Sequence, residues 1–347
     1  MKFDVVVGNP PYQENSGTSA RDDAIYNYFY DLSERVAKKY ILISPARFLF
    51  NAGSTPRAWN TKMLSDIHLK VVFYNQDSSS VFPNVGIAGG VTILYRDSDK
   101  DFGAIETFTS FEELNNIAQL VSKKSDESLS AVISGRGIYR LTSRLHDDYP
   151  EIKNMQSKGH QNDIGTGAFD KFDNIIYFKN KPDDGNSYVL IQGRYDNTRT
   201  ERWIRSEYVN KPFANDKWRV ILPKAYGTGI SEKGPAATLI GEPFVIAPYV
   251  GFTETYISIG KFNSEQEAKN ALKYVKTKFA RTLLAVLKVT QDNTKEKWSK
   301  VPMEDFSSNY PIDWTKSISE IDRQLFAKYN LGEDEIDFIE KKVKPME

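Results

Sequence analysis

The chain has 347 residues, 40% hydrophobic and 27% charged, the balance of a globular protein long enough for two domains. It has no cysteine, which excludes disulfides, thiolate metal sites and cysteine nucleophiles, and its three histidines (His68, His146, His160) form no HExxH pair of a zinc enzyme. Its 46 Lys and Arg balance 46 Asp and Glu, but unevenly: residues 201–300 hold 17 basic against 10 acidic residues. Such an excess offers a positive face to one partner, nucleic acid being the commonest, or it is a solvated helix face.

In chain order, Lys2–Val7 is almost wholly apolar and predicts a strand buried on both faces. Asp22–Lys39 carries Ile25, Phe29, Leu32 and Val36 at helical spacing. Tyr40–Ser44 predicts a second strand, Trp59–Ser65 a helix, Leu69–Tyr74 a third strand, Val81–Asn84 a turn and Gly90–Tyr95 a fourth strand. This order is half of a doubly wound sheet closed by an antiparallel hairpin. From about residue 100 the texture changes: a helix at Phe111–Lys123, a polar stretch, scattered short strands, a long amphipathic helix at Ser264–Leu287, and two acidic helices in Ile318–Val343. The division expected is 1–100 and 101–347. No apolar run is long enough to span a bilayer and no signal peptide precedes the first strand, so the expected location is the cytoplasm.

The chemistry concentrates in Asn9-Pro10-Pro11-Tyr12, just past the first strand, where doubly wound folds bind ligands. The alternative reading is a rigid turn. An exocyclic amino group such as N6 of adenine is a poor nucleophile, because its lone pair is delocalised into the ring. Two acceptors holding its two N–H bonds free that lone pair; the Asn9 side-chain oxygen and the Pro10 carbonyl are suited to this. Pro11 removes a competing donor and holds Pro10 extended. Tyr12 can stack on a base flipped out of the duplex.

FDVVVGNPPYQ resembles the catalytic motif of the γ-class N6-adenine DNA methyltransferases of restriction–modification proteins. YILISPARFLFNAG is similar to the elements that follow it, and Ser80-Val-Phe-Pro-Asn84 to a later motif whose aromatic residue, here Phe82, packs on the flipped base. A core aromatic is the other reading of Phe82. The resemblance implies a partial Rossmann-like methyltransferase sheet followed by a mixed α+β target-recognition domain, with S-adenosylmethionine as the methyl donor and double-stranded DNA as partner. Asn9 then also borders the donor. LPKAYGTG and the basic helix are similar to target-recognition regions. There Lys224, Lys276, Lys278, Arg281, Lys288 and Lys295 suit phosphates and Gln291 an adenine edge, with solvated lysines on a packed helix as the alternative.

In the γ order a glycine-rich donor loop and an acidic residue come before the NPPY strand. Here NPPY begins at residue 9. The resemblance is therefore to the C-terminal portion, with the donor-binding half missing from this chain: a truncation, a remnant, or one part of an enzyme whose donor half is a separate polypeptide. Circular permutation is the other possibility, with Asp163-Ile-Gly-Thr-Gly-Ala-Phe169 as donor loop. A non-catalytic DNA-binding specificity module and a protein-glutamine methyltransferase are the competing functions; some 250 residues after Tyr95 weigh against the latter.

Overall fold

In the computed structural model the described residues are all but 1–2, 15–22, 52, 84–85, 88, 213–214, 228, 232–233, 289 and 308–310. Lys2, Asp22 and Asn84, which bounded expected elements, and Thr228 of LPKAYGTG lie outside them. The chain divides into two compact units, Met1–Asn115 and Asn116–Glu347.

The first unit runs β1 (Phe3–Gly8), a short pair β2 (Gln13–Glu14) and β3 (Asp23–Ala24), α1 (Tyr26–Val36), β4 (Ala37–Pro45), α2 (Arg57–Ser65), β5 (Leu69–Asn75) and β6 (Val91–Asp97). α3 (Glu112–Ser122) spans the division. The main sheet has the order β1-β4-β6-β5. β1 and β4 are parallel, joined through α1, whereas β6 is antiparallel to both β4 and β5. The helix stops three residues before the Lys39 end that periodicity predicts. Ala37 is taken into β4 opposite Phe3, and Lys38 and Lys39 reach Asp99 and Asp97. Tyr26 and Tyr30 of α1, one turn apart, pack with Tyr40, Leu42, Phe48, Trp59, Leu69 and Leu94 in one core cluster. Ile105 and Phe108 join that cluster, and Phe102 and Glu106 donate backbone bonds to Ile67 and Leu64. These contacts carry the first unit to residue 115 rather than 100.

β1 corrects one expectation. It is an edge strand, and only one face is covered: Val6 meets the core, whereas Phe3, Val5 and Val7 are 55%, 47% and 70% exposed. Ile41, Val72 and Phe73 are exposed as well. Each such side chain forgoes roughly 1.5–3 kcal/mol of burial.

The second unit opens with β7 (Arg140–Leu141), which pairs later with β10 (Val209–Asn210), and three short helices: α4 (Ser143–Asp148), α5 (Pro150–Met155) and α6 (Ala168–Phe172). β8 (Tyr188–Tyr195) and β9 (Thr198–Arg205) form a hairpin flanked by β13 (Gly251–Phe252). A second sheet has the order β12 (Phe244–Ile246), β11 (Trp218–Pro223), β14 (Tyr256–Phe262). Both sheets feed one apolar cluster that includes Tyr139, Phe169, Ile191, Ile221 and Phe252.

Four helices complete the unit: α7 (Glu265–Lys276), α8 (Lys278–Ala285), α9 (Ile318–Tyr329) and α10 (Glu333–Lys342). The single helix expected over Ser264–Leu287 is broken at Thr277, whose hydroxyl donates to the Tyr274 carbonyl and accepts from Ala280 N. Asp322 of α9 accepts from the backbone N–H groups of Lys278 and Phe279, and so caps the new helix start. Among the described residues no helix is long and apolar enough to cross a membrane.

Candidate active site

Strand direction decides what meets at the Asn9 end of the sheet. β6 runs against both β4 and β5, and β1 runs with β4. Hence β1, β4 and β5 point the same way, and the segments after them emerge at one edge: 9–12, 46–56 and 76–90. Gly90, at φ +82°, makes that edge tight, because a Cβ there would run into the Asn75 carbonyl.

At this edge Asn9 is exposed and Pro10 is buried. Tyr12 is half-buried, and its carbonyl accepts from Ile25 N at 3.2 Å, which ties the motif to the start of α1. Among the described residues the Tyr12 hydroxyl is buried, with the Asn9 side chain beside it. Burial raises its pKa, with the Asn9 side chain opposing. The Tyr30 pKa is raised by burial, with Ser44 opposing and Tyr26 and Tyr12 adding to the rise. The Tyr30 hydroxyl lies 2.9 Å from Ser44 Oγ at the end of β4. Phe82 is half-buried in the 76–90 segment, its N–H donating to the Ser78 carbonyl at 2.8 Å.

In the second unit the residues predicted for DNA separate into two groups, apart from Lys295, which is exposed at the start of the 3-10 turn Lys295–Lys300. Lys276, Lys278, Arg281 and Lys288 turn inward, which corrects the expectation of a basic helix face. Lys276 pairs with Glu242 and donates to the Glu347 carbonyl; Lys278 pairs with Glu340 at 2.5 Å. Arg281 is fully buried and donates to the carbonyls of Lys276, Thr277, Thr238 and Lys344. The helix break explains this, because it frees the last carbonyls of α7 for a guanidinium one turn on. Burial lowers the Arg281 pKa to about 10. Lys288 is fully buried, donates to the Thr290 carbonyl at 2.7 Å, and is lowered by burial to about 8.

Lys224 and Gln291 are brought together. Ala225 bridges Asp292, and Tyr226 N donates to the Gln291 carbonyl at 2.8 Å. Gln291 is exposed; Lys224 is half-buried, its pKa lowered by burial and by Arg136, with Glu254 and Asp292 opposing. The β8–β9 hairpin approaches the same end of β11. Arg194 and Arg199, cross-strand partners in its ladder, both act on the Tyr256 hydroxyl, and Tyr256 pairs with Pro223 beside Lys224. Arg199 stacks 4.3 Å over Phe244. Arg202 and Arg205, also in this basic hairpin, are taken up by Asp173 and Asp184. The hairpin had a legible sequence signal that periodicity passes over: Asp196-Asn197, at φ 45° and 58°, is a two-residue turn of the primed type.

The candidate donor loop at 163–169 has no strand before it among the described residues. Asp163 makes an isolated bridge, and the helix that follows has five residues.

An apolar edge strand ending in NPPY lies here with the ends of two more strands alongside. Residues 1–82, within the first unit, match the model of the Eco57I restriction-modification methylase family. Among individual proteins, the chain is similar to an uncharacterized adenine-specific methylase of Mycoplasma pneumoniae, 25% identical over 166 residues, which cover 47% of this chain and 39% of that relative. It also aligns with the type IIG restriction endonuclease BpuSI (11% identity, TM-score 0.30, 91% of this chain and 48% of the other). The type IIL restriction-modification enzyme MmeI, solved in complex with DNA, aligns at 10% identity and TM-score 0.32, over 98% of this chain and 56% of the other. The chain thus spans 39%, 48% and 56% of the lengths of these three proteins.

Proposed function

We propose that this chain carries the acceptor-binding part of a site-specific N6-adenine DNA methyltransferase of a restriction–modification system. The observation that carries this is the placement of Asn9-Pro10-Pro11-Tyr12 at the strand-end edge of a sheet ordered β1-β4-β6-β5, within the segment that matches the methylase family. We read that sheet as the C-terminal half of a Rossmann-like one.

The Asn9 side-chain oxygen and the Pro10 carbonyl accept from the two N6–H bonds of a flipped adenine and hold the amino nitrogen for attack. Pro10 is buried, so its carbonyl is held by packing rather than by an exposed loop. Tyr12 stacks on one face of the base and Phe82 closes the other. S-adenosylmethionine, when bound, supplies the electrophilic methyl. The described residues do not fit it: no strand, glycine-rich loop and helix follow one another as a donor cradle, and Asn9 alone borders its place. The donor-binding half is assigned to a partner polypeptide or further domain, which would cover the exposed Phe3, Val5 and Val7 and pair with the open edge of β1. Duplex DNA lies on the second unit along Arg194, Arg199, Lys224 and Gln291.

Asn9→Ala tests this, with the donor half supplied. Methylation should fall at least ~10²-fold, the usual loss for a positioned polar group acting in a transition state. DNA affinity should hold, since Asn9 touches no phosphate. Retained activity would reduce the four residues to a turn. DNA binding without methylation in any reconstitution would favour the specificity-module reading.

A further inference from the structure

We infer that Arg47 holds a backbone phosphate of the DNA strand whose base enters the Asn9–Tyr12 edge. This rests on the function proposed above and adds a residue to it.

Arg47 opens the 3-10 turn Arg47–Phe50 directly after β4, on the edge where 9–12, 46–56 and 76–90 converge. Its backbone is fixed there, because the preceding Ala46 N–H donates to the Gly90 carbonyl at 3.0 Å. Its aliphatic stem lies along two glycines with left-handed backbones. A Cβ at Gly89 (φ +86°) would sit 2.6 Å from Arg47 Cγ, and one at Gly53 (φ +100°) 3.2 Å from Arg47 Cβ. The two glycines therefore shape a channel for the stem, while the residue as a whole stays exposed.

The guanidinium has no hydrogen bond and no carboxylate within ion-pair distance among the described residues. The contrast with the opposite edge of the sheet is sharp. There the cations are matched: Lys38 with Asp99 at 3.4 Å, Lys39 with Asp97 at 3.4 Å, and Arg96 with Asp66 at 2.6 Å. On the α1–α2 side Lys62 pairs with Asp31 and Glu34. A preset, unmatched cation thus stands at the edge that carries the NPPY motif. Its charge also reaches the tyrosine cluster: burial raises Tyr26 to about 12, with Thr55 and Arg47 opposing. Tyr26 in turn acts with Tyr12 on Tyr30.

An arginine fork suits two oxygens of one phosphate. A flipped nucleotide brings its flanking phosphates to the rim of the pocket that takes its base. The anion and the base would then be gripped at neighbouring points of one sheet edge.

The test is fluorescence anisotropy of the full chain with a labelled duplex, titrated at several salt concentrations. Arg47→Met keeps the stem and removes the charge. Its affinity should fall on all sequences, and the slope of log affinity against log salt should shrink by about one. Arg47→Lys should keep the parent's slope, and Lys38→Met should match the parent. Thermal melting checks that each variant is folded, with Arg47→Gln as the second neutral variant if Arg47→Met is not. An Arg47→Met slope equal to the parent's overturns the assignment. So does loss of S-adenosylhomocysteine binding, measured with the donor half present, at an unchanged slope; the anion is then the donor's carboxylate. If the parent chain binds no DNA, the proposed function fails first and this inference with it, a result distinct from the other two.

Discussion

Arg281 and Lys288 are drawn from the most basic hundred residues of the chain, yet both are buried on backbone carbonyls. A cation spaced among aromatics reads the same in sequence whether its partner is a phosphate or a helix end; only the break at Thr277 separates the two. Burial leaves a pH signature. The Lys288 pKa is about 8 in the fold against an ordinary lysine value of 10.5. Between those values the unfolded chain binds more protons than the folded one, so stability rises with pH through this window. Lys288→Met has no such titration. The parent should therefore gain stability relative to Lys288→Met on going from pH 7 to pH 10, read as the difference between their denaturant midpoints. A difference that stays flat would mean the ammonium is hydrated, and the residue would again be a candidate phosphate contact. Asn9 and Tyr12 could be proposed from the sequence because proline-proline after an apolar run is a distinctive pattern. Arg47 was not, since a single arginine in SPARFLFNAG has no pattern of its own.

At the scale of elements, the β8–β9 hairpin and the α7–α8 pair exchange the roles their sequences imply. The helix pair is basic and internal. The hairpin carries the exposed cations, with Arg194 directly opposite Arg199. Like charges in opposed positions cost roughly 0.2–1 kcal/mol unless an anion lies between them. Arg194→Glu places a carboxylate across from Arg199, which keeps its stack on Phe244. The variant should be as stable as the parent or more so by about 0.2–1 kcal/mol, and yet bind DNA more weakly with a shallower salt dependence. A lower melting temperature together with unchanged DNA affinity would remove the hairpin from the binding face. The four strands of the main sheet of the first unit were legible because each centres on a short apolar run, whereas the two-residue strands β2 and β3 were not. The short strands of the second unit were not, because β7, β10 and β13 are two residues long and take their form from their partners.

On the larger scale, the first unit's sheet leaves Phe3, Val5, Val7, Ile41, Val72 and Phe73 exposed among the described residues. A parallel pair such as β1–β4 ordinarily lies between two layers of helices. The donor-binding half proposed as a separate part would supply the second layer. Titration calorimetry of the chain alone with S-adenosylmethionine should then show no saturable heat. A micromolar dissociation constant would overturn this and return attention to Gly165 and Gly167.

The sequence by itself determined the four sheet strands and two α-helices of the first ninety-five residues, their order, and the place of Asn9–Tyr12 after the first strand, because apolar runs, prolines and turn residues act locally; it missed the β2–β3 pair. It determined as well that a net-neutral chain concentrates its positive charge between residues 201 and 300. Tertiary structure alone decided which of those charges face outward. Among the described residues it also decided that β1 is an edge strand with an open face, and that Arg47 stands unmatched beside the tyrosine cluster. The physical reason is the same in each case. A strand's second face, a lysine's partner and an arginine's isolation depend on groups far away in the chain, and a local pattern carries no record of them.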